Sequence, residues 1–258
     1  MAIQIHPTSI IEKGAQISEG VVIGPFCHVG ENVVLGENCE LKSHVVIAGK
    51  TTIGKKNIFH PFCALGGDPQ DLNYKGEDTE LIVGNENIFR EGASVHRGTV
   101  QGKGKTTIGN NNFIMAYCHI AHDCILHDHV IMANQAAIAG HVELESYVIM
   151  SGQSGITQFS RVGKYSFITA NGGVRRDLPP FMVAKDFSLV VGPNLVGLKR
   201  RGFSSDDIYV IKNLYKIFYL GQHTLELALK KIDARFGSNE HAQYFIDFVR
   251  KSKIGVQR

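Results

Sequence analysis

Large apolar residues recur at every sixth position along the first two thirds of the chain. The spacing holds over residues 5–65, returns over 83–95 and resumes over 108–174. A period of six matches neither the 3.6-residue repeat of an α-helix nor a long two-residue alternation. It predicts short β-strands joined by tight turns, with three strands in each triangular coil and the apolar anchors stacked in one core. The anchors are Ile5, Ile11, Ile17, Ile23, Val29, Leu35, Leu41, Ile47, Ile53, Phe59, Leu65, Val83, Phe89, Val95, Ile108, Ile114, Ile120, Leu126, Met132, Ile138, Leu144, Met150, Ile156, Val162, Ile168 and Val174.

Small residues occupy fixed places relative to these anchors. Glycine often follows an anchor directly, and we expect Gly and Asn to supply the left-handed corners that a coil requires. The fourth position after an anchor is also usually small. All five cysteines occupy that slot, which favours core packing over disulfide, metal or nucleophile roles: Cys27, Cys39, Cys63, Cys118 and Cys124.

The repeat is interrupted twice and then ends. Polar insertions predict protruding loops at about 66–82 and 101–107, and loops on one side of a solenoid commonly form its binding face. We therefore expect a β-helix over residues 1–180, a linker over 181–193 and a helical domain over 194–258. Apolar residues at helical spacing within that domain predict three helices, at Ser204–Tyr219, Thr224–Ile232 and Asn239–Arg250.

Charged residues are distributed unevenly along the chain. The 258 residues carry a net charge of +3, yet residues 194–258 hold 12 Lys/Arg against 6 Asp/Glu. Such a basic region attracts nucleic acid, anionic lipid or an acidic protein, or is a solvated helical face. Aromatic and basic residues do not alternate as they do in single-strand nucleic-acid grooves, so no nucleic-acid partner is expected. Without a membrane-length apolar run or a secretory start, we expect a cytoplasmic protein with no transmembrane segment.

Histidines are concentrated in the middle of the repeat, off the anchor positions: His96, His119, His122, His127, His129 and His141. They are candidates for acid–base catalysis, for zinc ligation, or for hydrogen bonding on an outward face. Within the segment HIAHDC, Asp123 could orient the His122 imidazole. Neighbours in an ideal strand point to opposite faces, so this pair requires a turn or bulge.

At these residues the chain resembles a known family. The segments that carry the resemblance occur in order at similar spacing: GPFCHVG, LKSHVVIAG, QDLNYKGE, HRGTVQG, HIAHDC, AGHV and GLKRRGFS. They are similar to those of the UDP-N-acetylglucosamine O-acyltransferases, which begin lipid A synthesis, and the likeness covers essentially the whole chain. It implies a left-handed parallel β-helix with a C-terminal α-helical domain. It also implies a homotrimer with active sites between subunits.

The resemblance further implies a reaction and its residues. A 3-hydroxyacyl chain would pass from acyl carrier protein to the sugar 3-hydroxyl of UDP-N-acetylglucosamine, without metal or cofactor. His122 would act as the general base, Asp123 would orient it and the Gly140 N–H would stabilise the oxyanion. The basic C-terminal region would suit an acidic carrier protein. The implied substrate-binding positions are Asp71, His119, His141, Gln158, Ala170, Asn194, Arg200 and Arg201.

Several alternatives remain at this level. Asn73, Thr157 and Val196 depart from the family pattern, so the acceptor is either UDP-N-acetylglucosamine or its 3-amino analogue, and Ala170 leaves the acyl length open. A zinc hydratase resembling the gamma-class carbonic anhydrases would use His122, His127 and a third histidine. A non-catalytic scaffold is the third alternative.

Overall fold

A computed structural model describes residues 2–187 and 189–258 of the chain. The first ten strands are β1 (Gln4–Ile5), β2 (Ile10–Ile11), β3 (Gln16–Ile17), β4 (Val22–Ile23), β5 (His28–Val29), β6 (Val33–Leu35), β7 (Glu40–Leu41), β8 (Val46–Ile47), β9 (Lys50–Ile53) and β10 (Ile58–Phe59). The next ten are β11 (Ala64–Gly67), β12 (Glu80–Val83), β13 (Ile88–Phe89), β14 (Ser94–His96), β15 (Lys105–Ile108), β16 (Phe113–Ile114), β17 (His119–Ile120), β18 (Ile125–Leu126), β19 (Ile131–Met132) and β20 (Ala137–Ile138). The last eight are β21 (Glu143–Leu144), β22 (Ile149–Met150), β23 (Gly155–Ile156), β24 (Arg161–Val162), β25 (Phe167–Ile168), β26 (Gly173–Val174), β27 (Met182–Lys185) and β28 (Leu189–Pro193).

These strands form the three faces of a left-handed β-helix, which we call sheets A, B and C. Sheet A runs β1-β4-β7-β10-β13-β16-β19-β22-β25-β27-β28, sheet B runs β2-β5-β8-β11-β14-β17-β20-β23-β26, and sheet C runs from β3 to β24 in the same manner. Each strand pairs in parallel with the strand of the next coil, except that β28 is antiparallel to β27. The left-handed winding departs from the usual right-handed crossover.

The anchors form the core as the six-residue period predicts. From Ile23 to Val174 every anchor is buried. Ile5 remains 43% exposed, because the first coil has no coil beneath it. The five cysteines are all buried and free, which agrees with the packing interpretation. Burial raises the pKa of the Cys63 thiol to about 12 and that of Cys118 to about 11, so neither is a ready nucleophile.

The expectation that Gly and Asn supply most left-handed corners is wrong. The left-handed residue is usually the third after an anchor, and most are other residue types, such as Tyr117 (φ 59°) and Tyr147 (φ 67°). Glycines that follow an anchor serve a different purpose. A Cβ on Gly36 would lie 2.5 Å from the carbonyl carbon and oxygen of Gly54 in the next coil, so these glycines allow close approach of two backbones.

The C-terminal region contains four α-helices, of which the sequence predicted three in position. They are α1 (Leu195–Arg200), α2 (Ser205–Tyr215), α3 (Leu225–Phe236) and α4 (Glu240–Arg250), with a π-helical turn at Lys216–Leu220 continuing α2. Ser204 caps α2 and forms a reciprocal capping box with Asp207. The segment 181–193, for which the sequence predicts a linker, contains the strands β27 and β28, and α1 was not predicted. In the described part of the chain, no helix has the length and apolarity needed to cross a membrane.

Candidate active site

A left-handed turn brings His122 and Asp123 together. The two residues lie at the corner between β17 of sheet B and β18 of sheet C, and Asp123 has a φ of 59°. This conformation breaks the strand alternation, so His122 Nδ1 lies 2.8 Å from Asp123 Oδ2. Because an ionised carboxylate only accepts hydrogen bonds, Nδ1 carries the proton. His122 Nε2 is then free to accept a proton from another molecule.

The second inserted loop, residues 97–104, surrounds the Asp123 carboxylate. The Thr99 hydroxyl donates to Oδ2 over 2.7 Å, the Thr99 N–H lies 3.1 Å from both oxygens, and the Lys103 N–H donates to Oδ1 over 2.8 Å. Burial by itself raises the pKa of Asp123. Hydrogen bonds from His122, Thr99 and Lys103 outweigh that effect and hold this pKa below its usual value. The carboxylate therefore stays ionised although its side chain is fully buried.

Gly140 lies directly against the His122 ring. A Cβ at this position would stand 2.6 Å from His122 Cε1 and 2.8 Å from Nε2, so a larger residue would displace the imidazole. Within residues 2–187 and 189–258, no group accepts a hydrogen bond from the Gly140 N–H. A backbone donor is therefore available on the residue that packs against the His122 ring.

These residues border a groove of about 540 Å³ along sheet B, which we call the His122 groove. His119, Gly140 and Gln158, all implied by the resemblance, line it together with His122. Gln70 also lines this groove, although it was not identified as a site residue from the sequence. Gln70 belongs to the first inserted loop, residues 68–79. Arg97 holds that loop by donating to Asp68 and, over 2.9 Å, to the Tyr74 hydroxyl.

Three further histidines surround His122 in their neutral form. Ser94 Oγ lies 2.8 Å from His119 Nδ1, and the rings of His119 and His96 meet edge to face. Burial lowers the pKa of His119, and it lowers that of His96 to about 4. The His141 ring lies edge-on to His122, with centroids 5.1 Å apart, and burial lowers its pKa as well. At neutral pH none of these three adds a positive charge next to His122.

The other residues implied by the resemblance lie elsewhere in the chain. Asp71 is in the first inserted loop, where it accepts a hydrogen bond from the Asn73 N–H, and Ala170 is exposed at the corner between sheets A and B. Asn194 caps α1 and lines a separate groove of about 460 Å³ on sheet A together with Arg200. The Arg201 guanidinium stacks on Tyr147, with its carbon 4.2 Å from the ring centroid. In a single chain the residues of the predicted site therefore lie on two different faces of the β-helix.

A zinc site built on His122 and His127 does not form. His127 Nε2 lies 3.1 Å from Glu143 Oε1 on sheet C, away from His122. Among residues 2–187 and 189–258, the group that satisfies metal-ligand distances is His122, Asp123 and His141. The Asp123 oxygens already accept hydrogen bonds from His122, Thr99 and Lys103, so they are poorly suited to bind a metal. The arrangement fits proton transfer from a hydroxyl better than metal ligation.

Comparison with known proteins identifies similar chains over the full length. A family model described as "Udp N-acetylglucosamine O-acyltransferase; Domain 2" matches residues 177–257, and one described as "Bacterial transferase hexapeptide (six repeats)" matches 14–49 and 105–140. The acyl-[acyl-carrier-protein]–UDP-N-acetylglucosamine O-acyltransferase of Halorhodospira halophila is 47% identical over 256 residues, covering 99% of both chains. That of Thermodesulfovibrio yellowstonii is 43% identical with the same coverage. The solved UDP-N-acetylglucosamine acyltransferase of Francisella novicida superposes with a TM-score of 0.95 at 39% identity, covering 99% of this chain and 94% of that one.

Proposed function

The chain belongs to the family of acyl-[acyl-carrier-protein]–UDP-N-acetylglucosamine O-acyltransferases, and we propose the residues and steps by which it works. It is an acyltransferase that moves an acyl chain from acyl carrier protein to UDP-N-acetylglucosamine. The acyl chain in our proposal is 3-hydroxylated and its acceptor is the sugar 3-hydroxyl. This transfer is the first step of lipid A synthesis. With acyl carrier protein as the donor, the reaction takes place in the cytoplasm.

His122 is the general base of the proposed reaction. Its Nδ1–H is held by the ionised Asp123, which fixes the tautomer with Nε2 as the acceptor. Asp123 also stabilises the imidazolium that forms when Nε2 takes the proton. The hydrogen bond between His122 and Asp123 is the single observation on which this assignment mainly rests.

The bonds change in two steps. Nε2 removes the proton of the sugar 3-hydroxyl while the sugar oxygen attacks the thioester carbonyl carbon. The oxyanion that develops accepts a hydrogen bond from the Gly140 N–H, which has no other acceptor in the described residues. The tetrahedral intermediate then collapses with loss of the carrier thiolate, which receives the proton from the His122 imidazolium. No covalent enzyme intermediate is required, which is consistent with the buried cysteines.

Release of the carrier-protein thiol provides a direct assay. We expect turnover with 3-hydroxyacyl carrier protein and UDP-N-acetylglucosamine. His122→Ala should reduce kcat by about 100- to 10,000-fold, the usual contribution of a general base. Donors of several acyl lengths would identify the chain that this protein accepts next to Ala170.

Two controls make this assay decisive. The 3-amino analogue of the acceptor, offered in parallel, tests whether the departures at Asn73, Thr157 and Val196 have changed the acceptor. His129→Ala, at the corner between sheets C and A where His129 stacks on Tyr147, removes an imidazole outside the His122 groove and should retain most activity. Equal kcat for His122→Ala and the unmodified protein would refute the assignment of the base.

A homotrimer is the assembly we propose. Asn194 and Arg200 line the groove on sheet A, whereas His122 lies at the edge of sheet B, so one chain does not bring them into a common site. A three-fold arrangement with sheet B of one subunit facing sheet A of the next would unite them in a cleft between subunits. Light scattering should give three times the 28.3 kDa chain mass, and a monomer would contradict the shared cleft.

A further inference from the structure

A second groove lies on the other side of the corner that carries His122. Its volume is about 490 Å³, and it extends over sheet C. The lysines Lys103, Lys251 and Lys253 line it together with the apolar side chains of Phe159 and Ile254. We call these five residues the basic rim. Phe159 is 52% exposed and Ile254 is 38% exposed, so the rim offers apolar contact area as well as charge.

The lysines of the rim are free to interact with another molecule. All three side chains are exposed, and within residues 2–187 and 189–258 none of them forms an ion pair. The floor of the groove contains two carboxylates, Glu143 and Asp177, which share the Arg161 guanidinium as an ion-pair partner. Arg161 lies 3.6 Å from Glu143 and 3.9 Å from Asp177. The rim therefore presents a net positive charge to solvent.

The chain after α4 holds two of these lysines in place. Residues 251–257 return to the β-helix and pair with its last coil. The Asp177 N–H donates to the Gly255 carbonyl over 3.0 Å, and the Gln257 N–H donates to the Asp177 carbonyl over 2.8 Å. Lys251 and Lys253 are thus carried by a fixed segment, which reduces the entropy lost when a partner binds.

The basic rim adjoins the catalytic pair. The Lys103 backbone N–H donates to Asp123 over 2.8 Å while its side chain lines the rim groove. The His141 ring stacks on Phe159, with centroids 4.5 Å apart, and lies 5.1 Å from the His122 ring. The His141 ring thus contacts both Phe159 of the rim and His122 of the groove. A macromolecule bound at the rim could therefore deliver a flexible arm past His141 to His122.

We propose that the basic rim is the surface on which the acyl carrier protein docks. This inference rests on the proposed function, which supplies an acidic carrier protein as the donor. The acidic carrier surface complements the three lysines, and its apolar residues would contact Phe159 and Ile254. The diphosphate of the sugar nucleotide is a smaller anion that the same lysines could attract. The test distinguishes binding of this diphosphate from binding of the carrier protein.

Charge reversal at Lys251 and Lys253 tests the docking surface. In Lys251→Glu/Lys253→Glu we expect Kd for fluorescently labelled acyl carrier protein, measured by anisotropy, to rise at least tenfold. The KM for acyl carrier protein should rise in parallel, with kcat and the KM for UDP-N-acetylglucosamine within twofold of the unmodified values. Salt should weaken binding of the carrier to the unmodified protein, because exposed charges are screened. The matched control is Lys216→Glu/Lys230→Glu, the same change in net charge on exposed residues of the helical domain.

A donor without the carrier separates docking from chemistry. Acyl-phosphopantetheine contains the thioester arm alone, and the reversed variant should use it as well as the unmodified protein does. An equal loss with this small donor would overturn the proposal, as would unchanged carrier affinity. A rise confined to the KM for UDP-N-acetylglucosamine would assign the lysines to the nucleotide instead. Because anisotropy needs no turnover, an inactive protein that still binds the carrier through the rim would refute the proposed reaction and support the docking surface.

Discussion

At the scale of single residues, the site depends on the backbone conformation of Asp123. In a regular strand His122 and Asp123 would point to opposite faces. The φ of 59° at Asp123 turns the chain at a corner, so that the carboxylate meets the neighbouring imidazole. The same turn buries the carboxylate beneath residues 97–104. The sequence identified the pair, but the donors from Thr99 and Lys103 emerged only from the fold, since they are 24 and 20 residues away.

Asp123→Asn tests the role assigned to the carboxylate. The amide has nearly the same shape, but it can donate a hydrogen bond to Nδ1 and so favour the wrong tautomer of His122. We expect kcat to fall by about 100-fold or more. The KM values for both substrates should change little, because binding groups are untouched. Steady-state kinetics measures both, and a variant with unchanged kcat would contradict the proposed role of Asp123.

The same variant has a pH signature that checks the buried charge. The folded-state pKa of Asp123 lies below its usual value, so the ionised form contributes stability above the unfolded-state pKa. That contribution is lost as the pH falls from about 4 through the folded-state pKa. Calorimetry over this range should show Tm of the unmodified protein falling more steeply than Tm of Asp123→Asn. Parallel curves would argue against a buried carboxylate that stays ionised.

At the scale of elements, each coil is specified by local sequence. The anchors, the small slot that follows and the glycines recur within a few residues of one another, and β-strands form wherever they do. Three elements were not predicted from local sequence. The strands β27 and β28 lie outside the hexad pattern, because the pairing of β27 with β25 and of β28 with β27, rather than local spacing, creates them. The short helix α1 was missed because it follows Pro193 and contains Gly197, which are weak helix signals.

Gly36→Ala should destabilise the β-helix through a backbone contact. The added Cβ would stand 2.5 Å from backbone atoms of Gly54, and two paired coils cannot separate locally without losing hydrogen bonds. We expect a loss of about 1–3 kcal/mol, typical of overpacking. Thermal unfolding measures it. Gly67→Ala is the matched control, since nothing lies within 4 Å of a Cβ there, and equal Tm values for the two variants would refute the close-approach role.

At the scale of the whole molecule, the three faces of the prism have different contents. Sheet B carries the His122 groove, sheet A carries the groove of Asn194 and Arg200, and sheet C carries the basic rim. In the proposed trimer sheets A and B meet between subunits, which leaves sheet C outward. A large donor would therefore reach the cleft from the outer side while the smaller nucleotide occupies its interior.

Mixed trimers test whether a cleft is shared between subunits. His122→Ala and Arg200→Ala subunits, each of low activity alone, should complement one another when unfolded, mixed in equal amounts and refolded together. With random assembly of a three-fold ring, about a quarter of the clefts would combine an intact His122 with an intact Arg200. We therefore expect about a quarter of the unmodified activity, measured by thiol release. Activity no higher than that of the separate variants would exclude a shared cleft.

The sequence by itself determined the coil, its core, the histidine–aspartate pair and the positions of three helices. These features depend on residues that are close in sequence, and a six-residue period imposes the same local geometry on every turn. The tertiary structure decided which residues meet across coils: Thr99 and Lys103 on Asp123, Gln70 in the groove, and Lys251 with Lys253 beside Lys103. Such contacts depend on how many residues each loop inserts and where the chain returns. Hydrophobic spacing locates the inserted loops, but it contains no information on how they fold or where the chain returns.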